Sequence, residues 1–272
     1  MPSTNWADRY AVITGATSGI GAEFARQLAA RGLHFVLAGR REERLQSLAE
    51  ELASKHGSRC ELVPGDLTDP REPERLVDFC TEKQLDVAML INNAGFGQVA
   101  TIDQTDLPTT MGIIQVNIAA VTELMYRFLP MMLERDEGSI LNIASVAAFQ
   151  PIPYMPVYAA SKAYVLHLTE AVWAETKDTG VHVGALCPGT TRTEFFDAAG
   201  SPGWAEKHMS QSPQQVVKTG IKVLEKRKPY IVSGVSNKLL MTASKFGPRE
   251  GRVVQMKRIF KPKKTASTEA SS

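Results

Sequence analysis

Cysteine is scarce in this chain, and the three present are badly placed for bridges or metal. Cys60, Cys80 and Cys187 are scattered and odd in number. They form neither a disulfide framework nor a paired metal spacing, which argues against a stapled secreted scaffold and a structural zinc site. No metal is expected, and a reducing, cytoplasmic compartment is. Long apolar runs are also missing: none approaches the roughly 18 residues of a membrane span. The first ten residues show no basic-then-apolar leader pattern. Internal repeats are absent, and low complexity is confined to residues 265–272, expected to be a disordered tail.

Excess charge is missing overall but not locally. The net charge is +2, yet residues 222–264 hold thirteen Lys and Arg against two Glu. A mildly acidic body therefore precedes a basic C-terminal region. No recognised nucleic-acid-binding motif accompanies that charge, so no nucleic-acid partner is expected.

What the chain does have is alternation. Short apolar runs at 10–14, 34–38, 59–63, 86–91, 139–143, 181–186 and 230–232 read as strands. Amphipathic stretches at 20–31, 42–56, 72–83, 107–134, 157–178 and 214–227 read as helices. Near-continuous apolar strands separated by helices are what a parallel sheet covered on both faces requires. The expected fold is α/β, a doubly wound, mostly parallel Rossmann-type sheet.

The first strand runs into residues 14–21, Thr-Gly-Ala-Thr-Ser-Gly-Ile-Gly, where a helix begins. Gly15, Gly19 and Gly21 permit a tight turn and close backbone approach to a pyrophosphate at a helix N-terminus. A plain strand-to-helix turn is the alternative. After the second strand comes Ala38-Gly39-Arg40-Arg41, with no carboxylate for ribose hydroxyls. Two guanidiniums there can bind a 2′-phosphate, so NADP(H) is favoured over NAD(H). Alternatively, Arg40 and Arg41 open the next helix on its solvent face. Asp66 follows the third strand and could accept from an adenine amino group or form a local turn.

Tyr158 and Lys162 lie four apart in a helical stretch, which puts phenol and ammonium on one face. A nearby cation favours phenolate and lowers its pKa, so Tyr158 is a candidate general acid/base.

These motifs, in this order, resemble the short-chain dehydrogenase/reductase family in its main single-domain branch. The resemblance spans about residues 9–230. It rests on the 14–21 loop, Asn92-Asn93-Ala94-Gly95, Asn117, Ser145, Tyr158 with Lys162, and Pro188-Gly189 followed by Thr193. It implies a catalytic set of Asn117, Ser145, Tyr158 and Lys162. Ser145 would hold the substrate oxygen, Tyr158 supply the proton, and Lys162 lower the phenol's pKa and hold the nicotinamide ribose. Asn117 would hold a water in a proton relay, or else satisfy backbone groups inside its helix. Asn92 and Asn93 are expected to tie the fourth strand's end to neighbouring loops. The resemblance further implies a cofactor set of Gly15, Thr17, Ser18, Gly19, Ile20, Gly21, Arg40, Arg41, Asp66, Leu67, Asn93, Ala94, Gly95, Tyr158, Lys162, Pro188, Gly189, Thr191 and Thr193.

Two loops rich in Pro and Gly, 149–156 and 194–204, carry Phe149, Ile152, Tyr154, Met155, Phe195, Phe196 and Trp204. Apolar residues in loops at a cleft indicate an apolar pocket with a mobile lid. The expected activity is interconversion of a carbonyl and an alcohol on a small apolar substrate. A 3-oxoacyl or hydroxysteroid-type reductase is one alternative; a non-catalytic NADP-binding regulatory protein is another. A homodimer or homotetramer is expected.

Residues 1–248 are expected to form one cofactor-binding catalytic domain. Residues 249–264 form a basic segment with Val253, Met256 and Phe260 at helical spacing. Such a helix can lie peripherally on an anionic membrane or fold back over the substrate cleft. On the first reading, the segment is dispensable for hydride chemistry.

Overall fold

The apolar runs become seven strands: β1 Tyr10–Thr14, β2 His34–Gly39, β3 Cys60–Pro64, β4 Val87–Asn92, β5 Gly138–Ile143, β6 Val181–Cys187 and β7 Tyr230–Val232. All pair in parallel, in the order β3-β2-β1-β4-β5-β6-β7. The computed structural model describes residues 6–243 and 248–261. The tail expected at 265–272, along with Lys245, Phe246, Lys263 and Lys264, lies outside the described residues.

Side chains alternate across a strand, so each strand feeds both faces of the sheet. Ala11, Ile13, Phe35, Leu37, Met89 and Ile91 point to one face. There they pack under α1 (Gly19–Ala29), α2 (Glu42–His56) and, late in the chain, Pro213–Glu225. Val12, Val36, Leu90 and Ile140 point to the other face. They pack under α3 (Glu72–Glu82) and two later helices at Val121–Glu134 and Pro156–Glu175. Full burial of a side chain such as Phe35 or Phe128 stabilises by roughly 1.5–3 kcal/mol.

Local chemistry sets the helix ends. α2 opens on Glu42 and Glu43, closes on Lys55 and His56, and stops at Gly57 in the left-handed region with φ +67°. The helix at 213–225 starts from a capping box: Ser212 Oγ accepts from the Gln215 amide, and Gln215 Oε1 accepts from the Ser212 amide.

The long helix expected at 107–134 is not continuous. α4 (Leu107–Ile114) and α5 (Val121–Glu134) flank a π-helical turn at Gln115–Ala120 that contains Asn117. The remaining elements are α6 (Pro156–Glu175), α7 (Phe195–Ala198), α8 (Trp204–Lys207), α9 (Pro213–Glu225), α10 (Val235–Ala243) and α11 (Arg249–Ile259). α7 and α8 give short helical turns to a segment expected to be loop. Strand order reverses between β1 and β4, and the crevice beyond their C-terminal ends is where ligands settle in such sheets.

Candidate active site

That crevice is built by stitching two strand ends together. Thr14 Oγ1 accepts from the backbone amides of Asn93 and Ala94, each at 3.0 Å. Asn93 Nδ2 donates to the carbonyls of Thr14 and Gly15 at 2.9 and 3.0 Å. Asn93 thus ties β4 to the first loop, as expected. Asn92 does not reach a loop: its Nδ2 donates sideways to Asn142 Oδ1 on β5 at 2.9 Å. The reason is register, since Asn92 lies directly opposite Asn142 in the sheet.

The glycines are required by geometry. Gly15 has φ +65°, and a Cβ on it would lie 2.9 Å from the Ala94 Cα. Gly19 has φ +56°, and its Cβ would lie 2.9 Å from Thr193 Cγ2. A Cβ on Gly21 would strike the Gly15 carbonyl oxygen and Asn93, so Gly21 serves close packing and does not line the cleft. Ser18 stands at the α1 N-cap without a side-chain cap bond.

A cleft of about 410 Å³ opens here. Its walls include Gly15, Thr17, Ser18, Gly19 and Ile20 from the first loop, and Asn93, Ala94 and Gly95 after β4. Pro188, Gly189, Thr191 and Thr193 line it after β6. Arg40, Arg41, Asp66 and Leu67 line its far end. Asp66 Oδ1 accepts from the Thr68 amide at 3.0 Å, a local turn, while Oδ2 lies 3.8 Å from Arg40. Arg41 is more tightly held. Its Nη2 donates to Thr17 Oγ1 and Ser18 Oγ at 3.0 and 2.9 Å, and its Nη1 to Glu194 at 2.7 Å. Arg44 donates to the other Glu194 oxygen at 2.6 Å. The sequence reading missed Arg44 and Glu194; a third arginine one helical turn beyond Arg40 was the available signal for the former.

At the other end, Ser145, Tyr158 and Lys162 line the same cleft. Ser145 ends β5 and caps a short turn through the Ala147 amide. Tyr158 shares a hydrogen bond with Ser145, and Lys162 Nζ lies 5.8 Å from the tyrosine ring centroid. Lys162 Nζ also donates to the Ile143 carbonyl at 2.8 Å. The expected acidic phenol is not what this environment produces. Burial pushes Tyr158 up to about 12, against a smaller opposing effect from the Ser145 hydrogen bond. Burial likewise brings Lys162 down to about 8, opposed by the nearby Cys187. Desolvation of each group outweighs their mutual influence.

Asn117 is fully buried and does not line the cleft. Its Oδ1 accepts from the Phe96 amide at 3.1 Å, and its Nδ2 donates to the Phe96 carbonyl and Ser161 Oγ at 3.0 Å each. The side chain therefore satisfies backbone groups, and it clamps the segment carrying Gly95 and Gly97. A Cβ on Gly95 would lie 3.2 Å from Lys162 Nζ, and one on Gly97 would lie 3.0 Å from the Tyr158 ring.

Of the apolar loop residues expected at the cleft, Ile152, Met155, Phe195 and Phe196 line it, joined by Phe260 from beyond α11, whereas Phe149, Tyr154 and Trp204 do not. An aromatic chain runs outward from the tyrosine. Tyr158–Phe195 centroids are 5.2 Å apart, Phe195–Phe196 5.2 Å, Phe196–Trp204 5.6 Å and Trp204–Phe260 4.9 Å. Phe149 instead packs on Tyr230. His208 stacks on Trp204 and hydrogen-bonds its carbonyl, a satisfied histidine. Among the described residues, no three His, Cys, Asp or Glu side chains converge as a metal site. Nor is any helix there long and apolar enough to cross a membrane.

A doubly wound parallel sheet, a glycine loop after its first strand and a Ser–Tyr–Lys group beside the switch point define an oxidoreductase of the dinucleotide-binding type. The chain belongs to the short chain dehydrogenase family, whose sequence profile matches residues 9–202. It is 31% identical to the 7beta-hydroxysteroid dehydrogenase of Mediterraneibacter gnavus, across 84% of this chain and 87% of that protein. It is 35% identical to the very-long-chain 3-oxoacyl-CoA reductase of Anas platyrhynchos, across 66% of this chain and 58% of that protein. A solved short-chain dehydrogenase from Sphingobium yanoikuyae, in complex with NADPH, matches with a TM-score of 0.80 at 28% identity. That match covers 97% of this chain and all of the other.

Proposed function

We propose that this protein is an NADP(H)-dependent oxidoreductase that interconverts a carbonyl and an alcohol on an apolar substrate. The observation that carries this is one continuous cleft. Arg40 and Arg41 line one end, Ser145, Tyr158 and Lys162 the middle, and Ile152, Phe195, Phe196 and Phe260 the rest. The glycine cradle fits a dinucleotide, since Gly15 and Gly19 bring the backbone to the cleft wall at positive φ, where a Cβ would press on Ala94 or Thr193. Gly15, Thr17, Ser18, Gly19 and Ile20 would receive the pyrophosphate, Asp66 and Leu67 the adenine, and Asn93 to Gly95, Pro188, Gly189, Thr191 and Thr193 the nicotinamide half. A bound nicotinamide supplies or accepts the hydride.

The chain's own residues do the rest. Ser145 Oγ donates to the substrate oxygen and fixes its position. Tyr158, protonated at neutral pH, delivers its hydroxyl proton to that oxygen during reduction. Lys162 holds the ribose hydroxyls and favours the phenolate left behind. Asn117 acts through position, keeping Gly95 and Gly97 against Lys162 and Tyr158. A screen of NADPH oxidation across apolar ketones, aldehydes and acyl thioesters tests the reading. Turnover on none of them, with NADPH bound, would favour a non-catalytic cofactor-binding protein. The hydroxysteroid and 3-oxoacyl relatives make steroid ketones and acyl thioesters the first compounds to try.

If Arg40 and Arg41 hold the 2′-phosphate, replacing both with neutral residues is expected to lower kcat/KM with NADPH at least tenfold and spare NADH. A lost charge-assisted hydrogen bond is worth about 1.5–3 kcal/mol, which sets that scale. An unchanged ratio would leave the arginines as mere decoration of α2.

The position of Phe260 changes the expectation for the basic segment. Val253, Met256 and Phe260 turn toward the body, where Met256 is buried and meets Gln150. α11 is therefore proposed as a wall of the pocket. Truncation after Pro248 is expected to raise KM for an apolar substrate several-fold, and Phe260→Ala to do the same with the helix in place. Steady-state kinetics on both variants checks this. Unchanged KM values would return the segment to a peripheral role, with exposed Val254, Ile259, Lys257 and Arg258 available to an anionic surface. A second copy of the chain is the proposed occupant of the face formed by Met111, Tyr126 and Tyr164, which α4, α5 and α6 leave exposed.

A further inference from the structure

Glu194 is the carboxylate that bonds both Arg41 and Arg44 at the adenosine end of the cleft, where Asp66 lies beside Arg40 alone, and it arrives from the opposite wall. Its two oxygens accept from Arg41 and Arg44 at 2.7 and 2.6 Å, across 153 and 150 residues of sequence. Both guanidiniums belong to the start of α2, whereas Glu194 immediately precedes α7. The ion pair therefore ties the cofactor side of the cleft to the segment that covers the chemical side. The next residue, Phe195, lies with its ring 5.2 Å from that of Tyr158. Thr193, one residue earlier, is already in contact range of Gly19.

The donor inventory limits what Arg41 can hold at once. Nε and Nη2 are engaged by Thr17 and Ser18, and Nη1 by Glu194. A phosphate monoester carries about −1.5 to −2 charge at neutral pH and prefers the planar fork of an arginine. Placed beside Arg41 and Arg44, it would meet the Glu194 carboxylate as a like charge on shared donors. A carboxylate with one charge is the weaker competitor.

From this we infer that Glu194 and the cofactor's 2′-phosphate are alternative partners of the Arg41–Arg44 pair. Displacement of Glu194 releases the α7 segment and draws Phe195 from Tyr158. Glu194 is thus a specificity-determining and positioning residue: it restrains 2′-phosphate binding and couples that phosphate to access at the catalytic tyrosine. A cofactor without the phosphate leaves the latch closed. The inference rests on the NADP(H) reading above.

Adenosine 2′,5′-bisphosphate and 5′-AMP are suitable probes, because neither carries a nicotinamide that could touch the lid directly. Binding is measured by calorimetry. Lid position is followed by the fluorescence of Trp204, taken as the difference from Trp204→Phe, since Trp204 stacks on Phe196. In the wild type, the bisphosphate is expected to bind more tightly than 5′-AMP and to change the Trp204 signal, while 5′-AMP does not. Glu194→Gln is expected to bind the bisphosphate about three- to tenfold more tightly, the scale of exposed ion pairs in a small network. Its affinity for 5′-AMP should stay unchanged, and its Trp204 signal should already match the ligand-bound wild type. Glu194→Asp, which keeps the charge on a shorter arm, should fall between. If Glu194→Gln binds the bisphosphate equally or more weakly, the latch is overturned and Glu194 is at most a strap over bound cofactor. If the wild type fails to prefer the bisphosphate over 5′-AMP, the NADP(H) reading itself fails. The two failures are therefore distinct.

Discussion

Tyr158→Phe is expected to abolish turnover while leaving cofactor affinity and folding nearly intact. The substitution removes one hydroxyl and keeps the ring, which packs on Phe195 and against the Ala147, Ile152, Met155 and Ala159 cluster. Only the proton donor is lost. General acid catalysis contributes about 10²–10⁴-fold, so a fall in kcat of at least about 100-fold is the expected scale. Calorimetric cofactor binding and melting temperature, measured on the same variant, separate this outcome from misfolding. Activity near that of the wild type would remove Tyr158 from the proton-donor role. Because burial holds the phenol near 12, it carries its proton throughout the neutral range. Alcohol oxidation needs the phenolate and should therefore climb with pH, whereas reduction should not.

Lys162→Met is expected to damage both turnover and cofactor affinity, since on the proposed reading one ammonium serves the phenol and the ribose. Its effect on stability runs the other way. Burial lowers Lys162 to about 8 in the folded protein, from 10.5 for an ordinary lysine. Between those values the unfolded chain binds more protons than the folded one, so this residue's contribution to stability rises with pH across the window. Below it, the folded state bears the full cost of a buried cation, on the order of 3 kcal/mol. Replacing the lysine removes that cost but strands the Ile143 carbonyl, worth about 1–3 kcal/mol. The melting temperature of Lys162→Met at neutral pH should thus equal or exceed that of the wild type while activity collapses. A clear fall in melting temperature would mean that the hydrogen bond to Ile143 outweighs the desolvation. Carbonyl reduction in the wild type should also decline above about pH 8, where Lys162 gives up its charge.

Much of the architecture could be read before any fold was known, and the reasons are local. The helix expected at 42–56 is found at Glu42–His56, because acidic residues, basic residues and Gly57 mark its two ends. The strand expected at 230–232 is found at Tyr230–Val232. The π turn at Gln115–Ala120 was not legible, because the apolar pattern runs through it unbroken. One extra residue in a turn is hard to see in a periodicity read over a stretch of many turns. Asn92 was misread because whether an amide faces a loop or a neighbouring strand depends on register, which no single strand contains.

The class of sheet, the glycine loop and the shared face of Tyr158 and Lys162 follow from local features of the chain. Each depends on backbone chemistry or spacing within a few residues. Only the packing of distant segments settles that Glu194 meets Arg41 and Arg44, that Phe260 lines the cleft and stacks on Trp204, and that burial dominates the tyrosine and lysine. Those outcomes depend on how distant loops pack and how much water they exclude, and neither quantity is encoded in the spacing of residues along one segment.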